Sequence, residues 1–138
     1  MYIFETQVRV RYGETDQMGY AYYGVYPLYY EMGRTDMLRT LGITYKEMEA
    51  RGILLPVASL SIKYVKPAYY DDLLTIRTIL RKKPLLKLEF EYEIYNADQE
   101  LLNKGDTTLV FIDAKTRRPT KAPDDFLEEI DKVFNENV

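Results

Sequence analysis

The sequence contains no cysteine and no histidine. Without cysteine there is no disulfide, no thiol nucleophile and no thiolate-bound metal. Without histidine there is no Ser-His-Asp triad, no imidazole base and no imidazole-bound metal. Acid–base chemistry, if there is any, falls to carboxylates, lysine or tyrosine. Carboxylates remain eligible for hard cations, but no loop has calcium-binding spacing, so no metal or other cofactor is expected. No apolar run approaches the roughly 20 residues needed to cross a bilayer. The first ten residues, MYIFETQVRV, lack a basic segment followed by an apolar one, which predicts no secretion signal and a cytoplasmic protein. Positive charge is not in excess: 19 basic against 22 acidic residues give a net charge of −3, which argues against a nucleic-acid partner.

What is present fits a globular chain. Its 138 residues are 46% hydrophobic and 30% charged, so residues 1–138 are expected to form a single domain with one core. Tyrosine is abundant: 14 in all, with Tyr20, Tyr22, Tyr23, Tyr26, Tyr29 and Tyr30 crowded into one segment. Amphipathic rings of this kind serve core and interface packing. They serve equally as the wall of an apolar pocket, and the two uses overlap.

Period-2 alternation predicts the first strand, with Phe4, Thr6, Val8, Val10 and Tyr12 on one face and Glu5, Gln7, Arg9 and Arg11 on the other. GETDQMG, from Gly13 to Gly19, interrupts it as a loop. A long helix follows from about Pro27, suited to a first helical position, to Leu41, with Gly42 as its C-terminal cap. It is apolar around most of its girth, which predicts burial on several sides. Thr44 with Glu47 reads as the cap of a short helix ending near Gly52. Strands are then expected at Val57–Val65, Leu73–Arg81, Leu86–Ile94 and Leu101–Asp113, with a turn at Asn96–Gln99 and a closing helix from Asp124 to Asn135. The order is one strand, two helices and an antiparallel meander of four strands, which suggests an α+β fold with a five-stranded antiparallel sheet wrapped around a long central helix, one of the architectures such an order allows.

The segment from Tyr12 to Tyr26, YGETDQMGYAYYGVY, joins the first strand to that helix. A helix N-terminus offers unpaired N–H groups and the positive end of its dipole, which can stabilise a developing oxyanion. A carboxylate held nearby, Glu14 or Asp16, can act there as base or nucleophile. The alternative is that Asp16 only bonds loop amides, as Asx side chains do.

The same segment resembles the signature of the 4-hydroxybenzoyl-CoA thioesterase family of hot-dog proteins. Glu14-Thr15-Asp16, then Gly19, Tyr22-Tyr23 and Tyr26-Pro27 carry the likeness, and Glu31 and Arg34 continue it along the helix. LPVASLSIKYVKPAYYDDLLTIRT, with Pro67 and Asp71-Asp72, resembles the second family signature. The likeness runs from about Val8 to Ile112. One branch of the family carries histidine where Tyr23 stands, and members commonly carry asparagine where Val25 stands; Asp16 and the helix N-terminus are retained.

The resemblance implies a hot-dog fold and an acyl-CoA thioesterase, with Asp16 as general base or nucleophile. It implies that the backbone N–H of Tyr23, with Gly24 as a second donor, binds the thioester carbonyl oxygen. Tyr22, Tyr26 and Ser59 are expected substrate contacts, and Lys82 and Lys83 expected contacts of the CoA phosphates; as a plain reading, the two lysines sit on a solvated turn. Glu31 is read as helix-stabilising and kept as a second carboxylate candidate. The family also implies a homodimer or dimer of dimers, with Val57–Lys63 at the subunit contact. An acyl carrier protein is the alternative carrier, with Lys63, Lys66, Lys82, Lys83, Lys115, Arg117 and Arg118 as basic docking candidates. A non-catalytic acyl-thioester binder is the alternative function.

Overall fold

The computed structural model describes residues 1–136, with side chains through Phe134. Five strands form an antiparallel sheet: β1 (Tyr2–Arg9), β3 (Val57–Tyr64), β4 (Leu73–Leu80), β5 (Lys87–Tyr95) and β6 (Leu101–Val110). The strand order is β1-β4-β5-β6-β3. Three consecutive strands, β4, β5 and β6, do form a meander, but the expected four-strand meander does not exist. Strand β3 skips its successor and pairs with β6 at the far edge, while β1 pairs with β4. Alternation reports which face a residue takes and is silent about neighbours, which is why the crossover escaped the pattern.

The helix α1 (Tyr26–Thr40) lies on the concave face. It buries Tyr26, Tyr29, Tyr30, Gly33, Met37 and Leu38 against Leu74, Ile76, Phe90, Tyr92 and Ile94. This is the hot-dog arrangement, and the helix comes closest to the sheet where it carries a residue without a side chain. At Gly33 a Cβ would stand 2.3 Å from Thr78 Oγ1 and 3.0 Å from Ile76 Cγ2. Tyr30 stacks on Tyr92, with centroids 4.2 Å apart and planes 3° from parallel, and donates a 2.6 Å hydrogen bond to Asn103. Its ring passes over Gly105, where a Cβ would lie 2.8 Å from the tyrosine. Burial on several sides holds for only part of the helix: Leu28, Glu31, Met32 and Arg39 are exposed along its outer strip.

The helix ends as its sequence predicts. Gly42 takes a left-handed φ of +77°, its N–H bonds Arg39 O, and Ile43 N–H reaches back to Leu38 O at 3.0 Å. Thr44 then caps α2 (Tyr45–Ala50), its hydroxyl accepting from Glu47 N–H. The expected strand over 101–113 is broken at Phe111. Its last part, β7 (Ile112–Asp113), leaves the sheet to pair with β2 (Ile53–Leu54) in a small separate ribbon. The closing helix α3 (Asp124–Glu136) buries Phe126 and Ile130, with Phe126 edge-on to Phe111 at 5.5 Å.

Candidate active site

Beyond β1 the chain turns through a 3₁₀ turn, Tyr12–Glu14. Glu14 is the knot of this turn. Its carboxylate accepts from Arg11 N at 2.9 Å, Arg11 Nε at 3.0 Å, Arg11 Nη2 at 2.6 Å and the Tyr29 hydroxyl at 2.8 Å. Burial pushes the Glu14 carboxyl up, but the hydrogen bonds from Arg11 and Tyr29 outweigh it and hold the group below the usual carboxylate range. Burial, reinforced by the Glu14 charge, pushes the Tyr29 hydroxyl up. Since Tyr29 lies on α1 and Glu14 on the loop, this knot fixes the distance between loop and helix.

Asp16 sits in the next turn, where Thr15 bridges Ala21. Its Oδ1 accepts from Met18 N–H at 2.9 Å and Tyr20 N–H at 3.2 Å. The Asx reading of Asp16 is therefore correct for one oxygen. Oδ2 makes no hydrogen bond among the described residues, and Asp16 lines a cleft of about 330 Å³. One carboxylate oxygen orients the side chain while the other carries no hydrogen bond from the described residues, so bonding the loop amides does not use up the carboxylate.

The cleft is apolar apart from Asp16 and Lys66. Met18, Tyr20, Ala21, Tyr23, Tyr26, Tyr64, Val65 and Pro67 complete its lining. Tyr23 in this lining opens the 3₁₀ turn Tyr23–Val25, which runs straight into α1. The N–H groups of Tyr23 and Gly24 occupy the first two positions of this turn, where no preceding carbonyl is in reach. Neither bonds any described residue. The amide pair and Asp16 thus belong to one end of the molecule, with the α1 dipole adding its positive end there.

The other candidates fall elsewhere. Tyr26 is buried and forms the cleft floor, with its hydroxyl pushed up by burial. Tyr22 is half exposed and tilts against Tyr23 at 4.6 Å, outside the lining. Ser59 stands five residues before Tyr64 on β3, exposed and away from the cleft. Lys82 and Lys83 follow the far end of β4, whose near end meets the loop through Val10 N–H to Asp72 O. Eight residues of strand span about 23 Å at ~3.3 Å per step, so the structure does not bring these lysines to Asp16 of their own protomer. They pair with Glu89 and Asp131 respectively. Glu31 is exposed on α1 and does not line the cleft. Lys66, ion-paired to Glu100, is the cation that does.

Two site residues went unread in the sequence. Tyr64 donates from its hydroxyl to Tyr23 O at 2.8 Å and packs its ring on Tyr26 at 5.6 Å. The only signal was its place on the inner face of β3 with Ile62. Tyr29 shares the two readings of the tyrosine cluster, packing ring or pocket wall, and its bond to Glu14 has no signature at a spacing of fifteen residues. Among the described residues no group of three or more acidic, His or Cys side chains is arranged to hold a metal ion. Among the described residues no helix is long and apolar enough to cross a membrane.

Comparison with known proteins gives a consistent result. Residues 10–130 match the Thioesterase-like superfamily. The chain is 34% identical to a putative acyl-CoA thioesterase of Bacillus subtilis, YneP, over 86% of each chain. It is 32% identical to the Escherichia coli acyl-CoA thioester hydrolase YbgC, over 92% of this chain and 95% of that one. Among solved structures, a DHNA-CoA thioesterase from Staphylococcus aureus superposes with a TM-score of 0.92 at 34% identity, covering 99% of this chain and 94% of the other. On the match over residues 10–130, these relatives and its five-stranded sheet packed by a long helix, this chain belongs to the thioesterase-like superfamily of hot-dog proteins.

Proposed function

We propose that this thioester hydrolase cleaves acyl-CoA to free acid and CoA, with Asp16 and the turn before α1 as its machinery. The observation that carries the reading is that Asp16, with an uncommitted carboxylate oxygen, and Tyr23, which opens a turn with two unpaired amides, line one cleft. In the general-base route Asp16 removes a proton from water as its oxygen attacks the carbonyl carbon. Negative charge moves to the carbonyl oxygen, where the Tyr23 and Gly24 N–H groups receive it. Collapse breaks the C–S bond, and the CoA thiolate takes the proton from Asp16. In the nucleophilic route Asp16 attacks first, CoA leaves as thiolate, and water then cleaves the mixed anhydride. Neither route requires a resident cofactor.

Residues 1–138 act in this reading as one domain. The acyl group lies against Tyr23, Tyr26 and Tyr64, and a second copy docked along β3 closes the open side of the cleft. Lys66 is the nearest cation for the carrier arm. Lys82 and Lys83 contact CoA phosphates only if the carrier arm leads to them from another protomer's cleft.

The test is Asp16→Asn, measured over a panel of acyl-CoA and acyl-carrier-protein substrates. Asparagine keeps the shape and the Oδ1 hydrogen bonds but loses the charge. The fold and acyl-CoA binding persist, and kcat falls by about 10² to 10⁴ for a lost base. Unchanged turnover in this variant removes Asp16 from the mechanism. Binding without turnover by the wild-type protein across the panel makes the chain a thioester binder, and turnover of carrier-protein substrates alone reassigns the carrier.

A further inference from the structure

The turn that holds the two amides is weakly built. It is three residues of 3₁₀ helix with a glycine in the middle, and neither its N-cap Tyr22 nor the α1 N-cap Val25 supplies a side-chain cap. Short 3₁₀ turns have poor hydrogen-bond geometry and little stiffness of their own. Yet a donor that stabilises an oxyanion must be aimed before the charge appears.

How each amide is aimed follows from peptide planarity. The carbonyl and the N–H of one peptide unit are rigidly coupled and point in opposite directions. Fixing the oxygen therefore fixes the direction of the hydrogen. The Tyr23 N–H shares its plane with Tyr22 O, and that oxygen is held by Val25 N–H at 2.9 Å. The Gly24 N–H shares its plane with Tyr23 O. In a continuing α-helix, the N–H four residues on would close onto Tyr23 O, but position 27 is proline and has none. The hydroxyl of Tyr64 takes that place, donating to Tyr23 O at 2.8 Å from across the cleft.

The geometry points to Tyr64 as a positioning residue that aims the Gly24 N–H at the thioester carbonyl oxygen by pinning the other end of the same peptide plane. The assignment rests on the proposed use of the Tyr23–Gly24 amides. It gives Tyr64 two separable parts: a ring that packs on Tyr26, and a hydroxyl that serves the turn. A hydrogen bond received at the carbonyl also polarises the amide and strengthens its N–H as a donor.

The experiment separates these parts. Tyr64→Phe keeps the ring and deletes the hydroxyl. With the best substrate of the panel, kcat is expected to fall between about tenfold and a few hundredfold, less than or equal to the loss of an oxyanion donor. KM should stay within about twofold, because the contact matters most when charge develops. Tm should stay within about 2 °C, since the hydroxyl is at the surface. A second readout needs no turnover. In Asp16→Asn, infrared difference spectra of a bound acyl-CoA labelled with ¹³C at the thioester carbonyl should show the stretch shifted to lower frequency. In the Asp16→Asn/Tyr64→Phe double variant that shift should shrink.

Wild-type kcat and an undiminished carbonyl shift in the Tyr64→Phe proteins overturn the positioning role while Asp16→Asn, inert, upholds the hydrolase reading. A raised KM with unchanged kcat makes Tyr64 a substrate contact instead. A Tyr64→Phe protein that fails to fold assigns the hydroxyl to stability and also overturns the proposal. Absence of any carbonyl shift in Asp16→Asn with bound ligand removes the amide site itself.

Discussion

The tie between the Asp16 loop and the long helix runs through a residue outside the cleft lining. Glu14 collects four hydrogen bonds and joins the Asp16 loop to α1 through Tyr29. Because its carboxyl is held below its ordinary 4.5 in the folded protein, it stabilises the fold in its ionised form. That contribution is fully present above about pH 4.5 and disappears as the pH falls through the lower folded value. Glu14→Gln should therefore be less stable than wild type at neutral pH, with the difference narrowing in acid. Urea denaturation followed from pH 7 to pH 3 measures it, and a constant gap across that range would show that the charge of Glu14 is not what the knot uses. Of the two readings of Asp16 in the sequence, the loop-bonding one is met by Oδ1, and the proposed chemical one asks only for the second oxygen. Sequence could not give Tyr29 or Tyr64, because each acts through a phenolic hydroxyl at the end of a ring whose apolar body accounts for its place in the pattern.

At the scale of elements, strict periodicity was readable and neighbourhood was not. The alternation in β5 and the Pro27-to-Gly42 frame of α1 appear within a residue or two of where the pattern puts them, while β1 ends at Arg9, three residues before the alternation does, because Tyr12 already belongs to the 3₁₀ turn. The pairing of β3 with β6 depends on contacts some 40 residues apart in sequence, for which a single strand's pattern carries no information. The seating of α1 on the sheet is likewise a matter of one missing Cβ. Gly33→Ala gains about 1 kcal/mol of helix propensity but drives a methyl into Thr78 Oγ1. Overpacking of this kind costs about 1–3 kcal/mol, so a net loss of stability is expected. Thr78 Oγ1 is buried without a partner, and Thr78→Ala removes the atom that would be struck. The double variant Gly33→Ala/Thr78→Ala should thus recover stability beyond the sum of the single changes in a double-mutant cycle. Simple additivity would mean that the helix is not seated by this contact.

At the scale of the whole molecule, the open edge of β3 dominates. Val57, Leu60 and Tyr64 are 46%, 44% and 48% exposed in the protomer, along a strand with backbone groups free for another chain to pair. A two-fold partner along this edge would bury the same patch on both copies. Sedimentation equilibrium at micromolar concentration should accordingly give a dimer. Leu60→Asp places a carboxylate on each side of a self-complementary contact and should shift the equilibrium toward monomer; a wild-type monomer would rule out the edge as a subunit contact. The crossover that puts β3 at this edge also sets an order of events during synthesis. Asp16, the Tyr23 turn and Tyr64 all leave the ribosome before any residue of β6, yet β3 has no neighbour in the sheet until β6 follows. At about 5–20 residues per second, that wait lasts on the order of seconds. In that interval the strand carrying Tyr64 has two unpaired edges, and the hydrogen bond from its hydroxyl to Tyr23 O has no settled donor. The cleft is therefore among the last parts of the protein to mature, although its residues are among the first to be made.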